Sequence, residues 1–154
     1  MTGRDTVTAV SVGEETVSMV HKAAIGATVL LAGVAAFQIA LTLGAPWGDM
    51  SYGGQAETTD GVLPGSYRVM SAVAVLILLF AAYVILVKAG VVSSPWLGAT
   101  FARRATWVIF AYLVLNTVMN LTSSHAGERF GMGSVTLVAA VLTFVVARDD
   151  SALA

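Results

Sequence analysis

The sequence predicts an all-α integral membrane protein, a bundle of four transmembrane helices with both termini in the cytoplasm. Three observations predict it. The 154-residue chain is 57% hydrophobic and only 11% charged, against about 25% charged in an ordinary soluble domain. Its apolar residues gather in four charge-free runs, and a chain this short has too little interior to hide them all from water. Six of the eight Lys and Arg residues fall on one side of those runs, which the positive-inside rule makes the cytoplasmic side.

Each run is judged by whether a helix rising about 1.5 Å per residue crosses roughly 30 Å of hydrocarbon. Ala23–Leu43 is the longest, with Gln38 and two threonines as its polar members. Val69–Val87 follows, with Ser71 and Tyr83. Ala105–Leu121 carries Asn116 and Asn120, and Met132–Ala147 is the shortest and the marginal case. Short spans still cross, because flanking charges snorkel and the bilayer thins locally. The runs are continuously apolar, whereas a barrel needs alternating strands of about ten residues, so the spans are expected as helices. The first run is too long for a secretory signal, follows Glu14 and Glu15, and is followed by Pro46 directly after the potential cleavage residue Ala45.

Residues 1–22 form an N-terminal cytoplasmic segment, expected as loosely ordered or interfacial. In it Thr6–Val12 alternates like a strand, while Val10, Val17 and Val20 fit one helix face. Residues 23–147 form the four-helix transmembrane domain, and 148–154 a cytoplasmic tail. Arg4, Lys22, Lys88, Arg103, Arg104 and Arg148 share the cytoplasmic side, with Arg68 and Arg129 opposite. The 44–68 and 122–131 loops then face outward. Trp47, Trp96 and Trp107 fall near span ends, as interfacial aromatics do. The outer loop from Gly44 to Ser66 holds six glycines with Pro46 and Pro64; it reads either as a functional loop or as a tether. The Lys88–Arg104 connection, with Val91, Val92, Trp96 and Leu97, is expected along the membrane surface, and Pro95 breaks any helix through it. Ala32, Ala36, Ala40 and Gly44 make a seam at four-residue spacing, expected to pack against another span of the chain, with a dimer contact as the alternative.

Composition excludes several chemistries. The net charge of -1 offers nothing to nucleic acid. The absence of cysteine removes disulfides, thiol catalysis, Cys-ligated zinc and iron–sulfur clusters. His21 lies at the inner end of the first span and His125 in an outer loop, where they do not make haem ligands between helices, and no HxxxH or HExxH spacing points to a metal. No cofactor is expected. No phosphate loop, no Gly-x-Ser-x-Gly elbow and no pair of carboxylates within the spans is present. Asn120-Leu121-Thr122 matches the glycosylation pattern, a match three residues often make by chance.

What remains is polar side chains concentrated in the outer halves of the spans. Gln38 and Thr42 share a face of the first; Tyr112, Asn116 and Asn120 form a stripe at four-residue spacing on the third; Arg68 and Ser71 open the second, and Ser134 and Thr136 the fourth. Polar groups in lipid are costly unless they turn inward and pair, and four helices bringing amides, hydroxyls and a guanidinium to one level suggest an outward-opening polar pocket. The candidate ligand-binding set is Gln38, Asp49, Arg68, Ser71, Tyr112, Asn116, Asn120, Glu128 and Arg129, with Tyr52 and His125 on its rim. The alternative is hydrogen bonding that merely holds the helices together. Ion pairs of Glu128 and Arg129 with Arg68 and Asp49 across the loops are expected.

The chain shares size with the small multidrug-resistance exporters but lacks the carboxylate they carry in the first span, which disfavours proton antiport. It is similar to uncharacterised small four-span integral membrane proteins of actinobacterial type. The resemblance rests on Gly44-Ala45-Pro46-Trp47-Gly48, Gly53-Gly54, Leu63-Pro64, Tyr67-Arg68 with Ser71, Asn116, Asn120 and Glu128-Arg129, and it covers most of the chain after Lys22. It implies no activity. The function expected is that of a non-enzymatic multi-pass protein of a bacterial plasma membrane, binding a small amphiphile or lipid at an outward-facing polar pocket. Its expected partners are membrane lipids, that amphiphile, and a homo-oligomer or larger membrane complex. The alternatives are an integral membrane enzyme acting on a lipid or isoprenoid, with Asp49 or Glu128 as acid, and a small transporter.

Overall fold

Peptide groups inside hydrocarbon find no water, so an apolar run satisfies its own backbone only by coiling into a helix. The computed structural model describes residues 3–54 and 56–149, and the elements among them are helical. They are α1 (Gly3–Leu43), α2 (Gly65–Lys88), α3 (Ala99–Thr122) and α4 (Gly133–Arg148). Two single 3₁₀ turns, Gly48–Met50 and Tyr52–Gly54, lie in the first loop, and a π-helical segment, Gly127–Met132, leads into α4. Four helices are long and apolar enough to cross a bilayer. Residues 150–154 of the expected tail lie outside the described residues.

Two helices run further than their apolar cores. The N-terminal segment is not separate from the first span, because α1 is continuous over 41 residues, about twice the roughly 20 that a bilayer needs. No proline interrupts Gly3 to Leu43, and β-branched Thr and Val weaken a helix only slightly. The fourth span gains length in the same way. Its short apolar run joins the π-helical turn, giving one helix of 22 residues from Gly127 to Arg148, about 33 Å at the usual rise.

The helices alternate in direction, so the N-terminal end of α1 and the C-terminal end of α4 share one end of the bundle. The 44–64 loop and the α3–α4 turn share the other, called the loop end below. α1 packs against α2 and α4, and α3 packs mainly against α4 and less extensively against α2. The core is built from small and branched residues: Ala24, Ala27, Leu31 and Ala35 of α1, Leu78, Ala81, Ala82 and Ile85 of α2, Leu113 of α3, and Ala139, Ala140 and Val146 of α4. Small side chains allow the close backbone approach from which helices gain dispersion contact within lipid. Leu76, Val108 and Met119 point outward and are largely exposed, as suits side chains that meet acyl chains.

The face that α1 buries is not the one its alanine spacing predicts. Ala32 and Ala36 are exposed, and Leu31 and Ala35, one position earlier, are buried. One residue is about 100° of helix rotation. Alanine occupies both faces of α1, so a four-residue spacing does not choose between them.

The long glycine-rich loop is a packed cap and not a tether. Leu63 and Ala56 are buried with Leu41 in a second small core, against which Phe37, Tyr52 and Tyr67 pack. The Gly48 amide donates to the Gly61 carbonyl at 2.7 Å, a closeness that leaves no room for a Cβ at Gly48. At the opposite end Val91, Val92 and Trp96 are exposed, and the Ser94 hydroxyl accepts the Trp96 and Leu97 amides to fold the connection ahead of α3.

Candidate functional site

The last carbonyls of any helix lack intrahelical partners and carry the negative end of its dipole. In this bundle they attract the basic side chains. α1 ends at Gly44 (φ +94°), with the Gly44 amide bonded to Leu41 O at 3.1 Å and the Ala45 amide to Ala40 O at 2.9 Å. This paired pattern is a Schellman cap. It leaves the Thr42 carbonyl, and Arg68 Nε donates to that oxygen at 2.9 Å. Arg129 Nε likewise donates to the Ser123 carbonyl at 3.0 Å, just past the end of α3. At the other end Lys88 is fully buried, and its Nζ donates to the Asp149 carbonyl that follows α4. Nothing in the sequence distinguishes Lys88 from an ordinary snorkelling residue at a span end.

The acidic groups are occupied too. Glu128 is buried; one carboxylate oxygen accepts the Gly53 amide at 3.1 Å and the other the Ser123 hydroxyl at 2.7 Å. It therefore joins the 44–64 cap to the α3–α4 turn. Asp49 lies exposed on the cap and accepts the Thr58 hydroxyl at 2.5 Å. The expected pairing of Glu128 and Arg129 with Arg68 and Asp49 does not form. Each of the four is drawn instead to a nearby amide, hydroxyl or helix-end carbonyl. His125 Nδ1 accepts the Gly127 amide at 3.2 Å, and no three His, Asp or Glu side chains gather as a metal set among the described residues.

Tyr52 takes a left-handed backbone conformation (φ 55°) that aims its ring inward. Its hydroxyl meets the Ser71 hydroxyl at 2.9 Å and the Tyr67 carbonyl at 3.3 Å. Asn120 Nδ2 reaches Thr136 Oγ1 at 3.4 Å across the α3–α4 contact. Asn116 Nδ2 donates to the Tyr112 carbonyl at 2.9 Å, within its own helix.

Three of the predicted polar residues border open space inside the bundle. A cavity of about 80 Å³ lies among all four helices, lined by Leu30, Leu31, Val34 and Gln38 of α1, Ala74 and Leu78 of α2, Tyr112, Leu113 and Asn116 of α3, and Val135, Thr136 and Ala139 of α4. The helices that face each other across the bundle, α1 with α3 and α2 with α4, pack far less closely than neighbouring ones. Along α1 the cavity's polar lining, Gln38, lies near the helix end at Leu43, and its apolar lining continues back to Leu30. The cavity is therefore polar towards the loop end and apolar towards mid-bundle. Gln38 Oε1 is buried without a hydrogen-bond partner, a situation that costs about 1–3 kcal/mol.

Of the nine predicted residues, Gln38, Tyr112 and Asn116 share this cavity. Arg68, Ser71, Asn120, Glu128 and Arg129 tie helix ends and loops together, and Asp49 lies on the exposed cap. Thr136 also lines the cavity; its position at the opening of the fourth span was its only signal in the sequence. The apolar wall from Leu30 to Val34 gave no signal, since leucine and valine are the ordinary lining of a span. No family model, curated protein or solved structure matches the chain.

Proposed function

We propose that this chain is a non-enzymatic, multi-pass protein of a bacterial plasma membrane that holds a small amphiphile in the cavity among its four helices, with both termini cytoplasmic. The observation that carries this reading is the cavity's gradient: an unpartnered amide oxygen of Gln38 at the loop end and a leucine-lined interior. That gradient matches a molecule with one polar end and an apolar body. Among the described residues no carboxylate, histidine or basic group lines the cavity, so its walls hold no side chain that titrates near neutral pH, of the kind that serves acid–base catalysis or proton-coupled transport. The orientation rests on the excess of Lys and Arg at the end where the termini meet.

Native mass spectrometry of the protein extracted in mild detergent tests the reading. The wild-type chain should carry an adduct of small hydrophobic mass. Ala139→Leu, which adds bulk to a side chain on the cavity wall, should fold with the same helix content and lose it. A wild-type protein that never retains an adduct in any mild detergent or nanodisc would defeat the proposal.

A further inference from the structure

Resting on the amphiphile reading, the geometry points to the chemical class of the polar group: we infer that the cavity takes the uncharged hydroxyl of a long-chain alcohol, which donates its proton to Gln38 Oε1. The hydrogen-bonding capacity of each polar wall residue leads there. Thr136 Oγ1 donates to the Met132 carbonyl at 2.9 Å and already accepts Asn120 Nδ2. Asn116 Nδ2 is engaged by the Tyr112 carbonyl. Among the polar atoms of the lining residues, Gln38 Oε1 is the one that is fully buried and has no hydrogen-bond partner, and an acceptor calls for a donor.

The donor is neutral. Among the described residues no Asp, Glu, Lys, Arg or His lines the cavity, and an uncompensated charge at this depth costs at least about 2.5 kcal/mol. The nearest guanidinium groups, Arg68 and Arg129, are fixed on helix-end carbonyls. A phosphate or carboxylate finds no cation on these walls, and an ammonium finds no anion.

Volume limits how much of the ligand enters. A water occupies about 30 Å³ in the liquid, so a cavity of about 80 Å³ takes the hydroxyl and the first carbons of a chain. It falls far short of the roughly 300 Å³ at which enclosed drug-sized ligands begin. The remaining chain lies in the lipid, leaving beside Tyr112, which lines the cavity and is also 46% exposed.

The test compares 1-dodecanol with dodecyl methyl ether, which has an oxygen but no proton to donate. Both are offered at equal concentration in one detergent, and retention is read by native mass spectrometry. The wild-type protein should retain the alcohol about fivefold better than the ether, the ratio expected of one net hydrogen bond. Gln38→Leu should abolish the difference, and Ala139→Leu should exclude both molecules. Equal retention of alcohol and ether by the wild-type protein overturns the hydroxyl assignment while leaving the amphiphile reading intact. A preference that survives Gln38→Leu overturns it as well. Retention of neither molecule, with no endogenous adduct, overturns both. The wild-type comparison stands whether or not the variants fold.

Discussion

A cation beside the end of a helix is worth about 0.3–1 kcal/mol at an exposed site and about 2 kcal/mol when partly buried. That energy decides where this protein's basic residues go. Arg68, Arg129 and Lys88 each reach a carbonyl at or just past the end of a neighbouring helix, so three helices have their negative ends met by a side chain from another element. Glu128 serves the opposite need, accepting an amide of the cap and a hydroxyl of the α3–α4 turn. Glu128→Gln keeps the shape but weakens two charge-assisted bonds. It should lower stability by about 1–2 kcal/mol, and Glu128→Ala, which leaves the Gly53 amide unpaired, by about 3 kcal/mol. Equilibrium unfolding in mixed SDS micelles reads both. Unchanged stability in Glu128→Ala would remove the anchoring role. That role was not legible in the sequence, where Glu128 reads equally well as half of an ion pair or as an acid. A charge in a sequence declares its sign but not which of several nearby dipoles will be closest after folding.

Among the elements, the 44–64 segment departs furthest from its appearance. Five glycines and two prolines look like a flexible connection, yet two of those glycines are where the loop closes on itself. Gly61 has φ +78°, and a Cβ there would stand 2.7 Å from the Pro46 carbonyl oxygen. Strain of this kind costs of order 1–3 kcal/mol, and backbone cannot move aside as a side chain does. Gly61→Ala should therefore loosen the cap, seen as faster chymotryptic cleavage after Trp47 and Tyr52. Gly65→Ala, with nothing within 4 Å of its Cβ, should cleave as the wild type does. Equal rates in the two variants would mean that the cap is not closed by the Gly48–Gly61 contact. Glycine content was visible in the sequence, but the two positions that require it depend on a contact between opposite sides of the loop.

At the scale of the whole molecule, an even number of antiparallel helices brings both chain ends to one end of the bundle, and the proposal that this end is cytoplasmic rests on its lysine and arginine excess. The chain has no cysteine, so single substitutions label cleanly. Ser18→Cys and Val92→Cys should react with an impermeant maleimide only after cells are opened, and Glu57→Cys in intact cells. Labelling of Ser18→Cys and Glu57→Cys from the same side would break the four-span topology. Reversed accessibility of all three would keep the topology and invert the orientation.

The number of spans, their helical form and the all-α class were readable residue by residue. Transfer from water to lipid adds along the chain, and each stretch such as Val69–Val87 carries its own sum. The extent of the helices was partly readable. Apolar content marks where α4 crosses, but the π-helical turn that lengthens it to Gly127 contains Glu128 and Arg129, which no hydropathy sum would include. Folding alone decided partnership: that α1 buries Leu31 and Ala35 in place of Ala32 and Ala36, that Lys88 lies buried, and that Gln38 and Asn116 face one cavity while Arg68 does not. Hydrogen bonds and close packing act over about 3–4 Å between residues distant in the chain, so they exist only once the four helices have taken their places around one another.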